Sequence, residues 1–371
     1  MTNSILKNVK RLLSFSLILT NLNYFSQEIL KPSTYPTVLF QTTDAKSVSM
    51  AGLGVATSAD EYSVFHNPAK FIFLKEDNAK FYQLINYSNA IAFSNVYYLG
   101  PEINHTNLSG GVRITKFMAI SGGFSFATQG DHFTEIGDKN IGDFQILVAP
   151  SFRLMDTQKQ KLSTSVGLRY YGDVSKLNYG QSFAVDLASF YQILLKKDRS
   201  QLENIQAYEM NFGLSLQNLF GKVKMKNRLI DLPFSPAEAR FAWSQYLHLK
   251  GRNFFAFHYE SKTPLIPFNS DAEKDAFSTL FATFSVPASE FFGRIEHVLG
   301  LEFGFRGMFT LRSGVLLQNA DYGINSSANF GFSFRYKMAD FGFAYGFPLH
   351  RLNYAGQSFA LSLAWSFKGK N

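Results

Sequence analysis

Residues 359–367 read FALSLAWSF: Phe359, Leu361, Leu363, Trp365 and Phe367 take alternate positions, with Ala360, Ser362, Ala364 and Ser366 between them. Successive side chains of a strand point to opposite faces, so this is a strand with one apolar face and one face of small residues. The same period recurs upstream. In 162–170, Leu162, Thr164, Val166, Leu168 and Tyr170 oppose Ser163, Ser165, Gly167 and Arg169. In 208–217, Tyr208, Met210, Phe212, Leu214 and Leu216 alternate with Glu209, Asn211, Gly213, Ser215 and Gln217. In 329–336, Phe330, Phe332, Phe334 and Tyr336 alternate with Asn329, Gly331, Ser333 and Arg335.

Two architectures use such strands. A soluble sandwich turns its second face to bulk water and fills it with Lys and Glu. Here that face is mostly Gly, Ala, Ser and Asn with scattered Arg, which suits the crowded polar lumen of a transmembrane barrel whose apolar face meets lipid. Of 371 residues, 46% are hydrophobic, 40 are Phe and 18 are Tyr, yet only 17% are charged. Beyond the N-terminus no stretch approaches the roughly 20 consecutive apolar residues of a membrane helix. An arginine facing lipid at mid-membrane costs roughly 2–4 kcal/mol, so Arg169, Arg240 and Arg335 are expected to point inward. Tyr170, Tyr336 and Phe367, at strand ends, are expected in the interfacial girdles.

Further runs lie at 80–88, 91–99, 119–128, 143–154, 182–194, 237–249, 253–261, 294–305, 307–318 and 340–347. The expected fold is all-β, a transmembrane antiparallel β-barrel of about 14 strands, an even number that closes without a free edge. Long polar connections at 128–142, 196–206, 263–276 and 320–327 are expected to face outward.

Lys7, Lys10 and Arg11 precede an apolar run from Leu12 to Leu19, the layout of a secretory signal, here assigned to residues 1–26. Residues 27–79 are expected to form an N-terminal plug and residues 80–371 the barrel. The central plug stretch, 44–70, reads DAKSVSMAGLGVATSADEYSVFHNPAK. Gly52 and Gly54 flank Leu53 and let the backbone turn sharply or pass close to a wall. Asn67-Pro68 reads as a fixed corner, because proline lacks a donor and biases the preceding residue toward extended geometry. By themselves these residues equally suit a surface loop; the barrel that follows makes them a plug.

The formal charge of +8 is spread along the chain without a basic cluster, which suits lumen or lipid headgroups and excludes a nucleic-acid stripe. No cysteine is present, so there is neither a disulfide framework nor a thiolate metal site. His258 and Glu260 share a strand face but lack a third ligand, and Glu296 and His297 point to opposite faces. Gly52-Leu53-Gly54 lacks the further glycine or Lys-Ser/Thr of a nucleotide loop. No serine elbow or supported carboxylate pair is visible. No catalytic, cofactor-binding or metal site is expected, and the chain is not read as an enzyme.

The run AGLGVATSADEYSVFHNPA, 51–69, resembles the N-terminal segment of FadL-like outer-membrane barrels, with a Gly-x-Gly-Val-Ala element, an acidic residue and Asn-Pro-Ala. Asp44-Ala45, the string from Met50 to Ser58, and Asn67-Pro68-Ala69-Lys70 together are similar to the PorV (LptO) family of the Bacteroidetes type IX secretion system. Gly167-Leu168-Arg169-Tyr170, KTPLIP at 262–267, GLEF at 300–303 and DFGFAY at 340–345 fall where that family has similar strings. His66 and Phe71 depart from its commonest pattern.

The resemblance implies a barrel in the outer membrane of a Gram-negative bacterium that needs no cofactor and binds no nucleic acid. It implies binding of the C-terminal signal domain of secreted cargo, received from a large outer-membrane translocon and delivered to a sortase-like surface protease. Outer-membrane lipid is the remaining partner. The connection containing Pro264, Leu265, Ile266, Pro267 and Phe268 is the candidate contact for cargo or translocon; the same residues equally suit a proline-stiffened cap. The alternative is a FadL-type channel for uptake of hydrophobic small molecules. It requires an apolar lumen, against which the small polar inward positions lean.

Overall fold

The computed structural model describes residues 42–74, 88–98, 103–128, 142–173, 180–196, 205–222, 224–225, 234–266, 280, 283–322, 326–350 and 357–368. The strands are β1 (Ser88–Tyr98), β2 (Ile103–Arg113), β3 (Met118–Thr128), β4 (Gly142–Asp156), β5 (Gln160–Asp173), β6 (Gly180–Lys196), β7 (Ile205–Leu219), β8 (Lys224–Met225), β9 (Glu238–Leu249), β10 (Asn253–Pro264), β11 (Glu296–Phe305), β12 (Phe309–Leu317), β13 (Ser327–Tyr336), β14 (Ala339–Pro348) and β15 (Ser358–Lys368). Fourteen are long, and the two-residue β8 adds only to β6. Each long strand pairs antiparallel with its neighbours. β1 pairs with β15 and β5 with β6, so the ladder closes into a 14-stranded barrel with no exposed edge.

The short turns after β2, β4, β9, β11 and β13 lie at the end where β1 begins and β15 finishes. Bacterial barrels keep short turns in the periplasm, so this end is periplasmic and the opposite one extracellular. The connections 128–142, 263–276 and 320–327 belong to the extracellular end. The expected outward loop 196–206 does not: it joins β6 to β7 at the periplasmic end. Its polarity and length suggested the outside, but strand direction decides the side.

β2 was not anticipated. Its outward positions begin with Asn104 and Thr106 and its inward ones are His105, Asn107 and Ser109, so neither face of its first half is apolar. The expected strand at 80–88 falls outside the described residues except for Ser88, the first residue of β1.

The outer face carries the large apolar side chains, including Leu361, Phe332, Phe341 and Leu301, all exposed where lipid would meet them. Tyr170 and Tyr336 are on this face, Tyr170 packing on Phe183 at a ring separation of 4.9 Å. The Phe367 side chain lies outside the described ones. Arg169 and Arg240 are buried in the lumen; Arg169 is held by Asp186 and Gln145. Arg335 shares its parity with the buried Gly331 and Ser333 and donates from Nε to Asp340 at 2.9 Å near the periplasmic mouth.

Candidate functional site

Residues 42–74 fill the lumen. Thr42 sits near the extracellular end, its N–H donating to the Tyr98 hydroxyl at 3.1 Å. Leu74 reaches the periplasmic end, where Arg113 donates from Nη2 to the carbonyls of Ile72 at 2.7 Å and Leu74 at 3.3 Å. Between them lie helices α1 (Ala45–Ser49) and α2 (Ser63–His66) and a 3-10 turn, Pro68–Phe73. Asp44 caps α1 by accepting the Ser47 N–H at 2.9 Å. The chain leaves α1 through the left-handed region, at Ala51 and then at Gly52, whose φ of +91° suits glycine. Gly54 is needed for space: a Cβ there would lie 2.3 Å from Cγ of the His66 ring.

Asn67 makes the second corner. Its Oδ1 accepts the Ala69 N–H at 3.1 Å, and its Nδ2 donates to the carbonyls of Val55 at 3.0 Å and Ser189 at 2.8 Å. The side chain thereby ties two parts of the plug to β6. Pro68 occupies the first position of the 3-10 turn, where a missing donor is harmless.

So little of the plug is regular that its buried backbone must find partners elsewhere. The wall supplies them. Asn107 donates to the Thr43 carbonyl at 2.9 Å, Ser109 to Glu61 at 2.9 Å, Asn329 to Val48 at 2.8 Å, Ser151 to Pro68 at 2.8 Å, Ser163 to Ala69 at 2.7 Å and Gln217 to His66 at 2.8 Å. Ser94 also bonds the Thr43 carbonyl. This is the physical reason for the Ser, Asn and Gln on the inward parity.

One charged pair completes the fastening. Glu260 Oε2 accepts the N–H groups of both Gly54 and Val55 at 3.0 Å, and its Oε1 accepts Arg240 Nε at 2.7 Å. Arg240 Nη2 donates to the Gly52 carbonyl at 2.7 Å. Glu260 is thus part of a plug latch, not a partner of His258 in a ligand set; His258 Nδ1 instead meets Ser244 Oγ at 2.7 Å. His297 faces outward and contacts the Tyr259 hydroxyl through Nδ1 at 2.9 Å. No cluster of three metal-ligating groups occurs among the described residues.

The start of α1 and the end of α2 are joined by Asp44 Oδ2 and His66 Nε2, 3.1 Å apart. Burial pushes the His66 imidazolium down, assisted by nearby Arg240 and Lys70 and only partly opposed by Asp44. Burial opposes ionisation of Asp44, but the His66 contact and the Ser47 N–H outweigh it and hold the carboxyl below its usual range. Burial also pushes the Lys70 ammonium down to about 8; it donates to the Gly54 carbonyl and, at 3.1 Å, to Thr57 Oγ1.

A pH dependence follows. With the plug undocked, His66 binds a proton near its free value of about 6.5, whereas docked it resists. Below that value the undocked state holds more protons, so docking weakens as pH falls, by at most about 1.4 kcal/mol per pH unit for one group. Proteolysis of the plug in detergent is expected to accelerate between pH 7 and pH 5 on this account, and His66→Gln to flatten the profile. A flat profile in the parent would refute it.

At the periplasmic side of the plug lies a cavity of about 200 Å³ lined by Lys46, Asp60, Glu302, Arg312, Arg335 and Asp340 among others. Its charges are paired: Lys46 with Asp60 at 2.7 Å, Arg312 with Glu302, Arg335 with Asp340. At the extracellular side, Leu265 (8% exposed) and Ile266 (3%) pack with Leu219, Phe234, Ala237 and Leu280. The buried Arg294 donates to the Ile266 carbonyl. Pro264 ends β10, and Pro267 and Phe268 lie outside the described residues. Among the described residues of this connection, the exposed large apolar side chains are Phe284 (68% exposed) and Phe292 (67%), the latter on helix α3 (Ala288–Gly293). Both rings contact Phe291, at 6.2 and 5.5 Å.

The family model described as type IX secretion system protein PorV matches residues 26–271. The chain belongs to the PorV family. It is therefore an outer-membrane component of the type IX secretion system. No curated protein matches the chain. Among solved structures, the PorV-family chain is similar to the toluene transporter TbuX of Ralstonia pickettii, at 10% identity over 89% of this chain and 99% of that one, with a TM-score of 0.47. It is similar to the CymD monoaromatic hydrocarbon channel at 11% identity over 89% and 98% of the two chains, with a TM-score of 0.48. A FadL homologue of Pseudomonas aeruginosa is 10% identical over 90% and 99%, with a TM-score of 0.43.

Proposed function

We propose that this PorV-family barrel is a non-enzymatic carrier: it holds the C-terminal signal domain of secreted cargo at its extracellular end. There it receives cargo from the translocon and presents it to the sortase-like surface protease. The observation behind this reading is the fastening of the plug: wall side chains on many strands hold its backbone, so the usable surface is the extracellular rim. A FadL-type path for hydrophobic molecules gains no support from a lumen of Ser, Asn and ion pairs.

Within the long connection after β10, Leu265 and Ile266 form a base and Phe284 and Phe292 the exposed contact. Such an exposed aromatic patch suits capture of a folded β-rich domain, since aromatic anchors dominate binding energy at interfaces. Replacing Phe284 and Phe292 together by Ser is expected to reduce recovery of cargo with the tagged barrel by tenfold or more, while the barrel keeps its folded mobility on unheated SDS gels. Undiminished cargo recovery would remove this contact. A deletion strain that secretes normally but no longer grows on long-chain fatty acids would instead establish the channel.

A further inference from the structure

Along the chain the cations are scattered, but the barrel gathers four of them. The turns after β9, β11 and β13 are successive periplasmic hairpins, about 10 Å apart at ~4.8 Å per strand. They carry Lys250 and Arg252, Arg306, and Lys337, all exposed. The turns are also tied together. The Asn253 side chain accepts the Arg306 N–H at 2.8 Å, and the Met308 carbonyl accepts the Arg335 N–H at 2.6 Å. A Cβ on Gly307 would lie 3.6 Å from both Cβ and Cδ of Arg252, so the first two turns lie side by side. The result is one continuous basic lip.

Among the described residues nothing neutralises this lip. Across 249–253, 305–309 and 336–340 the one carboxylate is Asp340, and Arg335 holds it with Nη2 at 2.8 Å. None of the four cations forms an ion pair with a described residue. Arg252, Arg306 and Lys337 also stand in the left-handed region, at φ of +62°, +53° and +53°, which favours glycine or asparagine. Long cations hold these positions in all three turns.

The charges lie against the membrane edge. The Arg306 guanidinium sits over the Phe305 ring at 5.0 Å, and the Lys337 ammonium over the Tyr336 ring at 5.2 Å. Both rings are on the lipid-facing parity, at the periplasmic end of the apolar belt. Met308 and Met338, in the same turns, are each 46% exposed. A cation folded back onto an aromatic ring, beside exposed apolar side chains, lies at the depth of lipid phosphates.

We propose that this lip binds anionic phospholipid of the periplasmic leaflet, with phosphates held by Arg252, Arg306 and Lys337. A guanidinium can meet a phosphate through two N–H donors at once. A net negative headgroup is favoured over a zwitterionic one, whose own ammonium the lip repels. An acidic protein fits less well, because two of the cations fold onto lipid-facing rings instead of reaching into the periplasm.

Trp365 reports on the site: it faces lipid on β15 and pairs with Ala339, two residues past Lys337. The chain has two tryptophans, so Trp243→Phe leaves Trp365 as the single fluorophore. In vesicles of equal phosphatidylglycerol and phosphatidylcholine, with one or the other brominated on its acyl chains, quenching should show an association of phosphatidylglycerol about threefold or more above that of phosphatidylcholine. The quadruple variant Lys250→Gln, Arg252→Gln, Arg306→Gln, Lys337→Gln should bring the ratio to about one while keeping folded mobility on unheated gels. Should that variant fail to fold, Arg306→Gln with Lys337→Gln, on the two turns nearest Trp365, carries the same test. Equal association in the parent barrel, or a preference that survives in the folded variant, would overturn the proposal. An acidic periplasmic protein recovered with the parent and lost with the variant, without any lipid preference, would overturn it too and assign the lip to a protein.

Discussion

Replacing Glu260 by Ala is expected to destabilise the docked plug by about 3–5 kcal/mol, the penalty for stranding one member of a buried ion pair. The carboxylate does three things at once. It balances Arg240 and it accepts two plug N–H groups, from Gly54 and Val55. Ala leaves Arg240 buried with only the more distant carboxylate of Glu238, 3.8 Å away, and two amides without an acceptor, and none of these groups can reach bulk water without moving the plug. The expected result is a plug cut by protease in detergent under conditions where the parent is resistant, with a lower temperature for loss of folded mobility on gels. Removing the charge from both partners, Glu260→Leu with Arg240→Met, should recover a large part of the loss, since an uncompensated buried charge does most of the damage. A Glu260→Ala barrel as protease-resistant as the parent would show that the latch does not hold the plug.

The barrel was legible because its strands carry a period. Phe359 to Phe367 or Tyr208 to Gln217 alternate strictly, and a lumen parity of Ser, Gly and Asn separates a membrane barrel from a sandwich. β2 escaped because its lumen face holds His105 and Asn107 for the plug while its outer face begins with Asn104 and Thr106, which leaves its first half without a continuous apolar side. The side on which 196–206 lies follows from the number of strand reversals, not from its own residues, so one missed strand is enough to confuse it.

Other features depend on contacts that no local spacing records. Glu260 was seen to share a face with His258, yet its amide partners are 206 and 205 residues earlier in the chain. Leu265 and Ile266 were read as a possible contact because they are apolar in a loop. Loops have no period to tell inward from outward, and here both turn into a small core with Leu219, Phe234, Ala237 and Leu280.

Introducing Val at Gly213 or Gly314 is expected to displace the plug without unmaking the barrel. A Cβ on Gly213 would lie 2.4 Å from the Val55 carbonyl oxygen, and one on Gly314 would lie 2.5 Å from the Met50 carbonyl carbon. Both obstacles are backbone, fixed by the wall bonds that hold the rest of the plug, so neither can swing aside as a side-chain tip could. Overpacking at such sites costs typically 1–3 kcal/mol even where relaxation is possible. The sheet itself tolerates the change, because valine favours strands and the added methyls point into the lumen, away from the β-ladder. The two effects therefore separate: the strand ladder persists by circular dichroism and folded mobility, while a cysteine placed at Ala56 becomes reactive to a water-soluble maleimide. The outcome bears on function as well. If cargo capture by either valine variant survives plug displacement, the rim acts independently of the lumen, as the carrier reading requires; if capture is lost together with the plug, the plug supports the rim and the working surface extends into the barrel.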